Sequence, residues 1–374
     1  MAGRVLASGP LEMAEDKPGS LLKQAGSNVE IPTYSDPGQI FQFVETLGSG
    51  SFAIVDKVEV ISGPHSGGIY AKKSCKVRTD EQAQRFRDEV RLLRKLNNPH
   101  ITRIIDIYKT DKIPIWYVIV MDPAADMDLE FYLTEMGKTE YKTPEWGFHH
   151  GNLEGWYGCL SGALAYLHSQ RVWHKDIKPS NILVQGRKVF LADFGISKDL
   201  EGKTTTSSAG EPGLRTRKYC APEVAAGKRR RRTSDLFSLG CVFLEMSTVS
   251  RRETLKEFEK FRRTDDDGTY PGNLEKLLKW IAHLDSKASH DLFNRNVLSW
   301  CFALLQPDPF KRATAQQVYD DFLKHTRTLC DTCLVSRSEH ELQSPYGFIA
   351  PVRPLSVESC PTWEVANEEW PYLQ

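Results

Sequence analysis

The chain lacks an apolar run long enough to cross a lipid bilayer, it lacks net charge, and it has few cysteines for its length. Its 49 Lys and Arg balance 49 Asp and Glu, so no overall charge favours nucleic acid or anionic lipid. Eight cysteines in 374 residues are too sparse for a disulfide scaffold and suit a reducing compartment. The N-terminal stretch MAGRVLASGPLEMAEDKPGS has no continuous apolar segment and does not predict a signal peptide. We therefore expect an intracellular protein without a transmembrane segment, in the cytoplasm, with the nucleus as a second candidate.

Composition divides the chain into two tails and a folded region. Residues 1–38 are rich in Gly, Ser, Pro and mixed charge and are predicted to be a flexible tail. Residues 326–374 are rich in Ser, Pro and acids and are predicted to be a disordered tail. Between them, 39–122 shows strand patterns with one helix, and 123–325 is mainly helical. Pro123 interrupts the last strand and marks the boundary between these two parts.

Periodicity predicts the elements of both parts. In the first part, FQFVETLG, SGSFAIVDKVEVI, IYAKKSC, RIIDIYKT and PIWYVIVMD are expected strands. TDEQAQRFRDEVRLLRKLNN is an expected helix, with acids at its start and apolar residues on one face. In the second part, NLEGWYGCLSGALAYLHSQ, TSDLFSLGCVFLEMSTV and DLFNRNVLSWCFALL are expected helices. Ser234 is the predicted N-cap of the second of these.

A glycine-rich turn, LGSGSFAIV, occupies residues 47–55. Gly48 and Gly50 lie between two predicted strands, which argues against a dinucleotide-binding turn, because that turn needs a helix behind it. A glycine-rich hairpin could instead approach phosphates with its backbone, because it has no Cβ atoms there. Ala53 stands where a third glycine would be expected. An ordinary hairpin turn is the alternative interpretation.

Lys73 lies on the next predicted strand, on the same face as Ala71. A strand lysine usually faces solvent, but one beneath a phosphate-binding turn would supply a point charge to phosphate oxygens. Such a lysine needs a carboxylate to hold it. Glu89 on the following helix is the candidate, and Glu81 and Asp88 compete with it, since helix charge patterning alone does not distinguish them.

The run HKDIKPSN, with ADFG about ten residues later, carries the groups for phosphoryl transfer. Asp176 could accept a hydroxyl proton or orient a nucleophile, and Lys178 could neutralise charge on a moving phosphoryl group. The amide oxygen of Asn181 and the carboxylate of Asp193 could ligate a hard cation such as Mg²⁺. A charged, solvent-facing loop is the alternative for either segment taken alone. Their order along the chain, after a glycine-rich hairpin and a strand lysine, favours the catalytic interpretation.

Taken together, these motifs resemble those of eukaryotic-type protein kinases, over roughly residues 41–325. LGSGSFAIV resembles the glycine-rich loop, YAKK the strand-three motif, RDEVRLLRKLNNPHI helix C, HKDIKPSN the catalytic loop and ADFG the metal-binding motif. CAPE, SDLFSLG and QPDPFKRAT resemble later motifs, which implies a pair between Glu223 and Arg312 and support of the catalytic loop by Asp235. The resemblance implies an α+β, two-lobe protein-kinase-like fold, with a β-rich N-lobe carrying helix C and a mainly helical C-lobe.

The function implied by this resemblance is ATP- and Mg²⁺-dependent transfer of the γ-phosphoryl group to serine or threonine hydroxyls of protein substrates. Lys178, placed two residues after Asp176, and Thr216 resemble the serine/threonine-directed group. The implied catalytic residues are Lys73, Glu89, Asp176 and Lys178. The implied nucleotide-binding residues are Gly48, Ser49, Gly50, Val55, Ala71, Lys73, Met121, Asp122, Ala124, Asp128, Asn181 and Asp193, of which Asn181 and Asp193 would hold the metal.

Two other classes remain as alternatives. A pseudokinase or scaffolding ATP-binding module would be expected to have lost Lys73, Asp176, Asn181 or Asp193, and all four are present. A kinase-fold enzyme acting on small molecules would more often lack CAPE and the arginine at position 312.

One departure from the family pattern concerns regulation. The catalytic loop reads His-Lys-Asp, with Lys175 where most regulated kinases have an arginine that docks an activation-segment phosphate. A lysine offers only a point charge in place of a bidentate fork. We therefore expect less dependence on phosphorylation of the candidate acceptors, which are Thr204, Thr205, Thr206, Ser207 and Ser208.

The basic run KRRRR, residues 228–232, has three interpretations: a solvated surface, a site for an acidic substrate or partner, and a nuclear import signal. No strong signal for nucleic-acid binding accompanies it.

The sequence TLCDTC places Cys330 and Cys333 three positions apart, with His325, His340 and Cys360 in the same region. A single Cys-x-x-Cys pair is a weak indication of zinc, so these cysteines are expected to be free surface thiols.

Overall fold

A computed structural model describes residues 29–50, 53–193, 217–264, 267–287 and 292–334. The chain divides into two units. The first comprises residues up to Lys95 together with Arg103–Ala124, and the second comprises Leu96–Thr102 and the chain from Ala125 onward. Among the described residues, no helix is both long and apolar enough to cross a membrane.

In its described residues, the first unit is a six-stranded sheet with one α-helix. Its elements are β1 (Thr33–Tyr34), β2 (Phe41–Ser49), β3 (Ala53–Val60), β4 (Ile69–Lys76), α1 (Asp80–Leu93), β5 (Arg103–Thr110) and β6 (Trp116–Asp122). The strand order is β1-β5-β6-β4-β3-β2, with β1 parallel to β5 and all other neighbours antiparallel. The five strands and the helix predicted from periodicity are confirmed.

Helix α1 forms because its first turn is capped and its apolar residues share one face. The Thr79 side chain accepts from the backbone N–H of Gln82, and two acidic residues occupy the first turn, where the helix dipole favours them. The buried stripe of Ala83, Phe86, Val90 and Leu93 lies against strands β5 and β6. This packing fixes which face of α1 meets the sheet.

The folded part of the first unit begins before residue 39. Val29 and Ile31 pack against the cluster beneath α1, and Thr33 pairs with Lys109 of β5 in parallel register. A short parallel edge strand carries little periodicity, so composition alone placed this segment in the flexible tail.

The second unit is mainly helical. Its elements are β7 (Met127–Asp128), α2 (Leu129–Met136), α3 (Pro144–Ser169), β8 (Ile182–Gln185), β9 (Lys188–Leu191), α4 (Pro222–Ala225), α5 (Arg232–Ser250), α6 (Leu255–Arg262), α7 (Leu274–Lys287), α8 (Leu292–Leu304) and α9 (Ala315–Phe322). Strands β7, β8 and β9 form a small antiparallel sheet. Helix α5 is buried along most of its length, around Phe237 and Phe243, and α3 is mostly buried from Asn152 to Leu167, around Trp156 and Leu160. The three predicted helices are confirmed, and they correspond to α3, α5 and α8.

The predicted N-cap of α5 is wrong. The helix begins at Arg232, inside the basic run, and Arg231 is its N-cap residue. Ser234 lies at the third helical position, where its hydroxyl accepts from the backbone N–H of Arg231 at 3.1 Å. The serine therefore takes the role of the N3 residue in a capping box, whose side chain accepts from the backbone N–H of the N-cap residue.

The chain beyond residue 325 is also packed, up to the last described residue, 334. Thr328 and Leu329 are buried, and the short turn Thr326–Thr328 lies on helix α3. Helix α3 presents Gly158 at this contact, and a Cβ there would overlap the backbone carbonyl of Thr328. The second unit thus extends past the boundary predicted at residue 325, because a glycine on α3 lets the chain approach closely.

Candidate active site

Lys73 lies at the middle of β4, flanked on both sides by neighbouring strands. Its ammonium is 3.5 Å from Oε1 of Glu89 on α1, and both side chains are largely shielded from solvent. The two rival carboxylates pair with arginines of their own helix instead, Glu81 with Arg85 and Asp88 with Arg91. Of the three candidates, Glu89 is therefore the carboxylate that lies against the strand lysine.

The glycine-rich turn connects two strands, as the sequence predicts. Gly48 and Ser49 end β2, with Gly48 opposite Val55 of β3. The backbone N–H of Gly50 donates to the carbonyl of Ala53 at 2.9 Å and closes the hairpin, while residues 51 and 52 lie outside the described chain. A Cβ at Gly48 would meet no atom of the described chain within 4 Å. Packing within the unit thus does not explain the glycine at position 48.

Three of the implied nucleotide-binding residues, Met121, Asp122 and Ala124, lie at or just after the end of β6. Met121 is opposite Ala71, whose side chain is buried, and Ala124 is buried as well. The carboxylate of Asp122 pairs with Arg103 of β5 at 3.0 Å, so the side chain of Asp122 has a partner within the first unit.

Asp128, in the second unit, is the N-cap of helix α2. Its Oδ1 accepts from the backbone N–H of Phe131 at 2.8 Å. Sequence reasoning missed this capping role, although an aspartate directly before an apolar helical segment is a usual sign of it. One carboxylate oxygen of Asp128 is thus already engaged by the helix.

The catalytic-loop candidates lie together. The ammonium of Lys178 is 2.8 Å from Oδ2 of Asp176. The side-chain amide N–H₂ of Asn181 donates to the same oxygen at 3.0 Å and to the backbone carbonyl of Asp176 at 2.8 Å. Because a carbonyl only accepts, these contacts fix which end of the Asn181 amide is nitrogen. The amide oxygen of Asn181 therefore points away from Asp176 and is oriented by the same two bonds.

A residue some 60 positions downstream anchors this loop. Asp235 of α5 is almost fully buried and accepts from the backbone N–H groups of His174 at 2.9 Å and Lys175 at 2.7 Å. His168 contacts the same carboxylate at 3.2 Å. Lys175 has a left-handed backbone, with φ 68°, and its carbonyl accepts from Arg230. Contacts on both sides of Lys175 hold it in a conformation that a non-glycine residue rarely adopts.

Burial lowers the pKa of two side chains in the loop. Burial lowers the pKa of His174, and the charges of Asp235 and Asp176 offset this only in part. Burial also lowers the pKa of Lys175, and the nearby Arg229 and Arg230 lower it further. His174 is thus a neutral, structural side chain near neutral pH.

Asp193 lies two residues after the end of β9. The backbone N–H of Ala192 donates to the carbonyl of Asn181 at 3.0 Å, which ties the end of β9 to the catalytic loop. Asp193 itself is exposed and has a left-handed backbone, with φ 54°. Aspartate tolerates that region better than most residues. The backbone of Asn181 is thus hydrogen-bonded to the residue that precedes Asp193.

Two buried ion pairs support the segment that follows the undescribed residues 194–216. Arg312 and Glu223 form a bidentate pair at 2.7 and 2.8 Å, so the predicted pairing is confirmed. Glu245, buried in α5, accepts from Tyr219 and Lys218 and was missed from the sequence. A lone glutamate in the apolar run LGCVFLEMSTV was its only local signal. The activation-segment candidates at 204–208 and Thr216 lie outside the described residues.

The basic run is divided in the structure. Arg230 is half-buried and bonded to the catalytic loop, whereas Lys228, Arg229, Arg231 and Arg232 are exposed. One of the five basic residues is therefore structural, and four face solvent.

Cys330 and Cys333 are free, as expected, but they are half-buried, so the expectation that they lie at the surface is wrong. They lie beside His100 and Cys159, which the sequence did not connect with them. Of the other residues that the sequence suggested, His325 is not part of this group, and His340 and Cys360 lie outside the described chain.

Comparison with known proteins agrees with this geometry. A family model described as protein kinase domain matches residues 41–323. The calcium/calmodulin-dependent protein kinase cmkA of Emericella nidulans is 32% identical over 305 residues, which cover 79% of this chain and 63% of that protein. Serine/threonine-protein kinase 36 of Pongo abelii is 30% identical over 212 residues, covering 55% of this chain and 14% of that protein. Serine/threonine-protein kinase ATG1 of Kluyveromyces marxianus is 24% identical over 314 residues, covering 70% of this chain and 37% of that protein.

The aligned region spans less than two thirds of each of these relatives. The match to the family model covers most of the chain, and the sheet-rich first unit and helical second unit are those of the two-lobe kinase fold. The chain belongs to the protein kinase family.

Proposed function

We propose that this protein kinase is catalytically active and transfers the γ-phosphoryl group of ATP, with Mg²⁺, to serine or threonine hydroxyls of proteins. The observation that carries the proposal is the contact set of the catalytic loop, in which Lys178 and Asn181 both hold one oxygen of Asp176. The corresponding loop of an inactive pseudokinase would not be expected to keep all three side chains in mutual hydrogen-bond contact.

Asp176 is the group proposed to receive or orient the hydroxyl proton of the substrate. Its carboxylate is mostly shielded, and two donors fix its direction. Fixing a base in this way lowers the entropy cost of reaching the reactive geometry. Lys178 is proposed to stabilise charge on the moving phosphoryl group, since its ammonium already lies at the loop carboxylate.

Asn181 and Asp193 are proposed to hold the metal ion. An amide oxygen and a carboxylate are the hard oxygen ligands that Mg²⁺ prefers, and the amide oxygen of Asn181 is turned away from Asp176. When bound, Mg²⁺ neutralises charge on the phosphate oxygens. Within the loop, the contribution of Asn181 is therefore double, because its nitrogen orients Asp176 while its oxygen is available in a fixed direction.

Lys73, held by Glu89, is proposed to contact the phosphates of ATP from the first unit. The backbone of the turn at Gly48, Ser49 and Gly50 is proposed to lie over the phosphates, because packing within the unit leaves the space at Gly48 open. The remaining proposed nucleotide contacts are Val55, Ala71, Met121, Asp122, Ala124 and Asp128.

The proposal is tested by transfer of labelled γ-phosphate from ATP to a generic basic protein and to the chain itself. Wild type is expected to transfer phosphate with Mg²⁺, and Asp176→Asn is expected to be about 10²–10⁴-fold slower. Asp320→Asn, at an exposed aspartate of α9, is the matched control and is expected to match wild type. Phosphoamino-acid analysis checks for serine and threonine.

Absence of transfer by wild type, together with an ATP-dependent rise in melting temperature, would favour the scaffolding alternative. Equal transfer by wild type and Asp176→Asn would contradict the assignment of Asp176.

We also infer that the exposed part of the basic run attracts an acidic segment of a protein substrate. Lys228, Arg229, Arg231 and Arg232 line a groove of about 900 Å³ in the second unit. Exposed charges chiefly affect encounter and weak affinity, so changing these four residues to Gln should raise KM for an acidic peptide several-fold and leave kcat unchanged. The same change in KM for a neutral peptide would argue against recognition of acidic residues.

A further inference from the structure

Four potential metal ligands from separate parts of the chain meet in the second unit. His100 lies in the segment between α1 and β5, Cys159 lies in α3, and Cys330 and Cys333 lie at the end of the described chain. His100 and Cys159 are almost fully buried, and Cys330 and Cys333 are half-buried. Nothing in the proposed kinase chemistry uses these four side chains.

The four ligand atoms lie within 4.8 Å of one another. Nε2 of His100 is 3.0 Å from Sγ of Cys333 and 3.4 Å from Sγ of Cys330. In a tetrahedral zinc site with Zn–S of about 2.3 Å and Zn–N of about 2.0–2.1 Å, neighbouring ligand atoms are roughly 3.5–3.8 Å apart. The observed spacing therefore needs only small side-chain movements to surround one ion.

His100 is already oriented as a ligand. Its Nδ1 is 2.6 Å from the backbone carbonyl of Val189. A carbonyl only accepts, so Nδ1 carries the proton and donates. In the neutral ring Nε2 then has the lone pair, and Nε2 faces the sulfurs. Metal-binding histidines usually show this arrangement, because the second bond fixes the tautomer and the orientation of the ring.

The two C-terminal cysteines are presented by one helical turn. The backbone N–H of Leu334 donates to the carbonyl of Cys330 at 3.0 Å, and Cys330 and Cys333 are three positions apart, so both face the same side. The backbone N–H of Cys330 also donates to Sγ of Cys159 at 3.3 Å. This bond ties the turn to α3 and would help stabilise a thiolate on Cys159.

Close packing holds this turn against α3. Thr328 is fully buried, and its hydroxyl donates to the carbonyls of Phe322 and His325 at 2.6 and 2.7 Å. Gly158, next to Cys159, leaves room for the backbone at Thr328. The segment that carries Cys330 and Cys333 is therefore held beside Cys159 by packing as well as by the cysteines themselves.

We propose that His100, Cys159, Cys330 and Cys333 bind one Zn²⁺ ion. A set of three thiolates and one imidazole is typical of structural zinc, and soft thiolates disfavour Mg²⁺ or Ca²⁺. Four protein ligands fill a tetrahedral shell and leave no position for substrate, so the ion stabilises the fold and does not take part in catalysis. The site fastens the C-terminal segment to α3 and to the segment around His100, and it is independent of the proposed kinase activity.

The test is the zinc content of the full 374-residue chain. The protein is produced with zinc in the medium, purified with reductant and without chelator, and analysed by elemental mass spectrometry. We expect one zinc per chain in wild type and none in the Cys330→Ser/Cys333→Ser double variant. Cys75→Ser, at a half-buried cysteine of the first unit, is the matched control and should keep its zinc.

A second pair of variants separates metal binding from misfolding. His100→Cys would provide a four-cysteine shell and is expected to retain zinc, whereas His100→Ala is expected to lose it. Replacing zinc by Co²⁺ in wild type should give the visible absorption of a tetrahedral thiolate site. Removal of zinc by a chelator should lower the melting temperature, and adding Zn²⁺ back should restore it.

Two outcomes would overturn the proposal. One is wild-type protein, folded and with its thiols reduced, that contains no stoichiometric zinc and does not bind added Zn²⁺. The other is a disulfide among Cys159, Cys330 and Cys333 in wild type, found by mass mapping of protein that was purified without reductant and that does not take up zinc after reduction.

Discussion

The catalytic loop and the cysteine–histidine cluster lie in the same unit but are specified in opposite ways. Asp176 and Asn181 of the loop are five positions apart, whereas His100 and Cys333 of the cluster are 233 positions apart. A loop holds neighbouring side chains in a fixed geometry at little cost, so chemistry can be encoded in a short motif. A cluster that fastens one segment to another must combine residues that are distant in sequence.

The contrast is incomplete, because the loop also depends on distant residues. Asp235 holds the backbone at His174 and Lys175, and the Arg312–Glu223 pair holds the segment around Glu223. Long-range contacts thus fall into three kinds: those that support only the fold, those that position the catalytic loop and those that build the cluster. Substitutions at one residue of each kind should have separable effects.

Arg312 should have the largest effect, on stability. Its side chain is fully buried, pairs with both oxygens of Glu223 and donates to the carbonyls of Gln306, Thr233 and Pro307. Arg312→Ala leaves a buried carboxylate unpaired, so the free energy of unfolding should fall by about 3–5 kcal/mol. Denaturant titration measures the change.

The neighbouring exposed Lys311 supplies the control, since Lys311→Ala should change the free energy of unfolding by no more than about 0.5 kcal/mol. A loss below about 1 kcal/mol for Arg312→Ala would show that the pair is dispensable to the fold.

Asp235 should affect both stability and activity. The two oxygens of Asp235 accept from the backbone N–H groups of His174 and Lys175, whereas Asn has one oxygen and an N–H₂ group that cannot accept. In Asp235→Asn one of these buried N–H groups therefore loses its partner, which lowers the free energy of unfolding by about 1–3 kcal/mol. The loop would shift, and displacement of a reacting group by about 1 Å can cost roughly 10²-fold in rate. We expect Asp235→Asn to lower kcat by about 10–10²-fold with a smaller change in KM.

Asp320→Asn, at an exposed site, is the control for Asp235→Asn. Unchanged kcat in folded Asp235→Asn would mean that the loop holds its geometry without the distant carboxylate.

Gly158 should affect stability and zinc content but not the chemistry of the loop. A Cβ at this position would overlap the carbonyl of Thr328 and lie 2.9 Å from Leu329. Gly158→Ala should therefore displace the C-terminal segment, lower the free energy of unfolding by about 1–3 kcal/mol and weaken zinc retention during dialysis against a chelator. Activity per folded molecule should stay close to that of wild type.

Gly151 is a matched control on the same helix, because it is exposed and a Cβ there would meet no described atom within 4 Å. Gly151→Ala should stabilise the protein by up to about 1 kcal/mol through helix propensity. If both glycine variants behave alike, the close approach of the chain to α3 is not what holds the C-terminal segment.

The same contrast explains how much could be predicted from the sequence. Strands and helices followed from periodicity, and the loop residues followed from motifs with fixed short spacing. Helix patterning gives the face of a residue but not its partner across the sheet, so it does not separate Glu89 from Glu81 and Asp88. The family resemblance is what selects Glu89. The cluster could not be found, since Cys159 lies in an apolar helix and His100 in a loop, and neither has a local signal. The N-cap of α5 could not be predicted, because an arginine, Arg231, occupies that position and arginine is not a residue type that indicates an N-cap.

His174 should give the smallest effect, visible as a change in pH dependence. Its backbone belongs to the local motif, but its side chain is buried, and burial lowers its pKa below the ordinary value of 6.5 that it regains on unfolding. Below about pH 6.5 the unfolded chain therefore binds a proton that the folded chain does not. The stability contributed by this residue is fully present above that pH and is lost as the pH falls from about 6.5 through the folded-state pKa.

The measurement is urea unfolding of wild type and His174→Phe at about pH 7.5 and about pH 5.5. The variant has no group that titrates at this position, so its free energy of unfolding should fall less between the two pH values than that of wild type, whatever the substitution costs at the higher pH. Comparing the change in the free energy of unfolding between the two pH values removes the constant cost of the substitution and the contribution of the other histidines. An equal change in the free energy of unfolding in wild type and variant would mean that His174 is protonated equally in the folded and unfolded chains. The imidazole would then be solvated like an ordinary loop residue, and the loop would be anchored by the backbone bonds to Asp235 and by the contact of Arg230 with the carbonyl of Lys175.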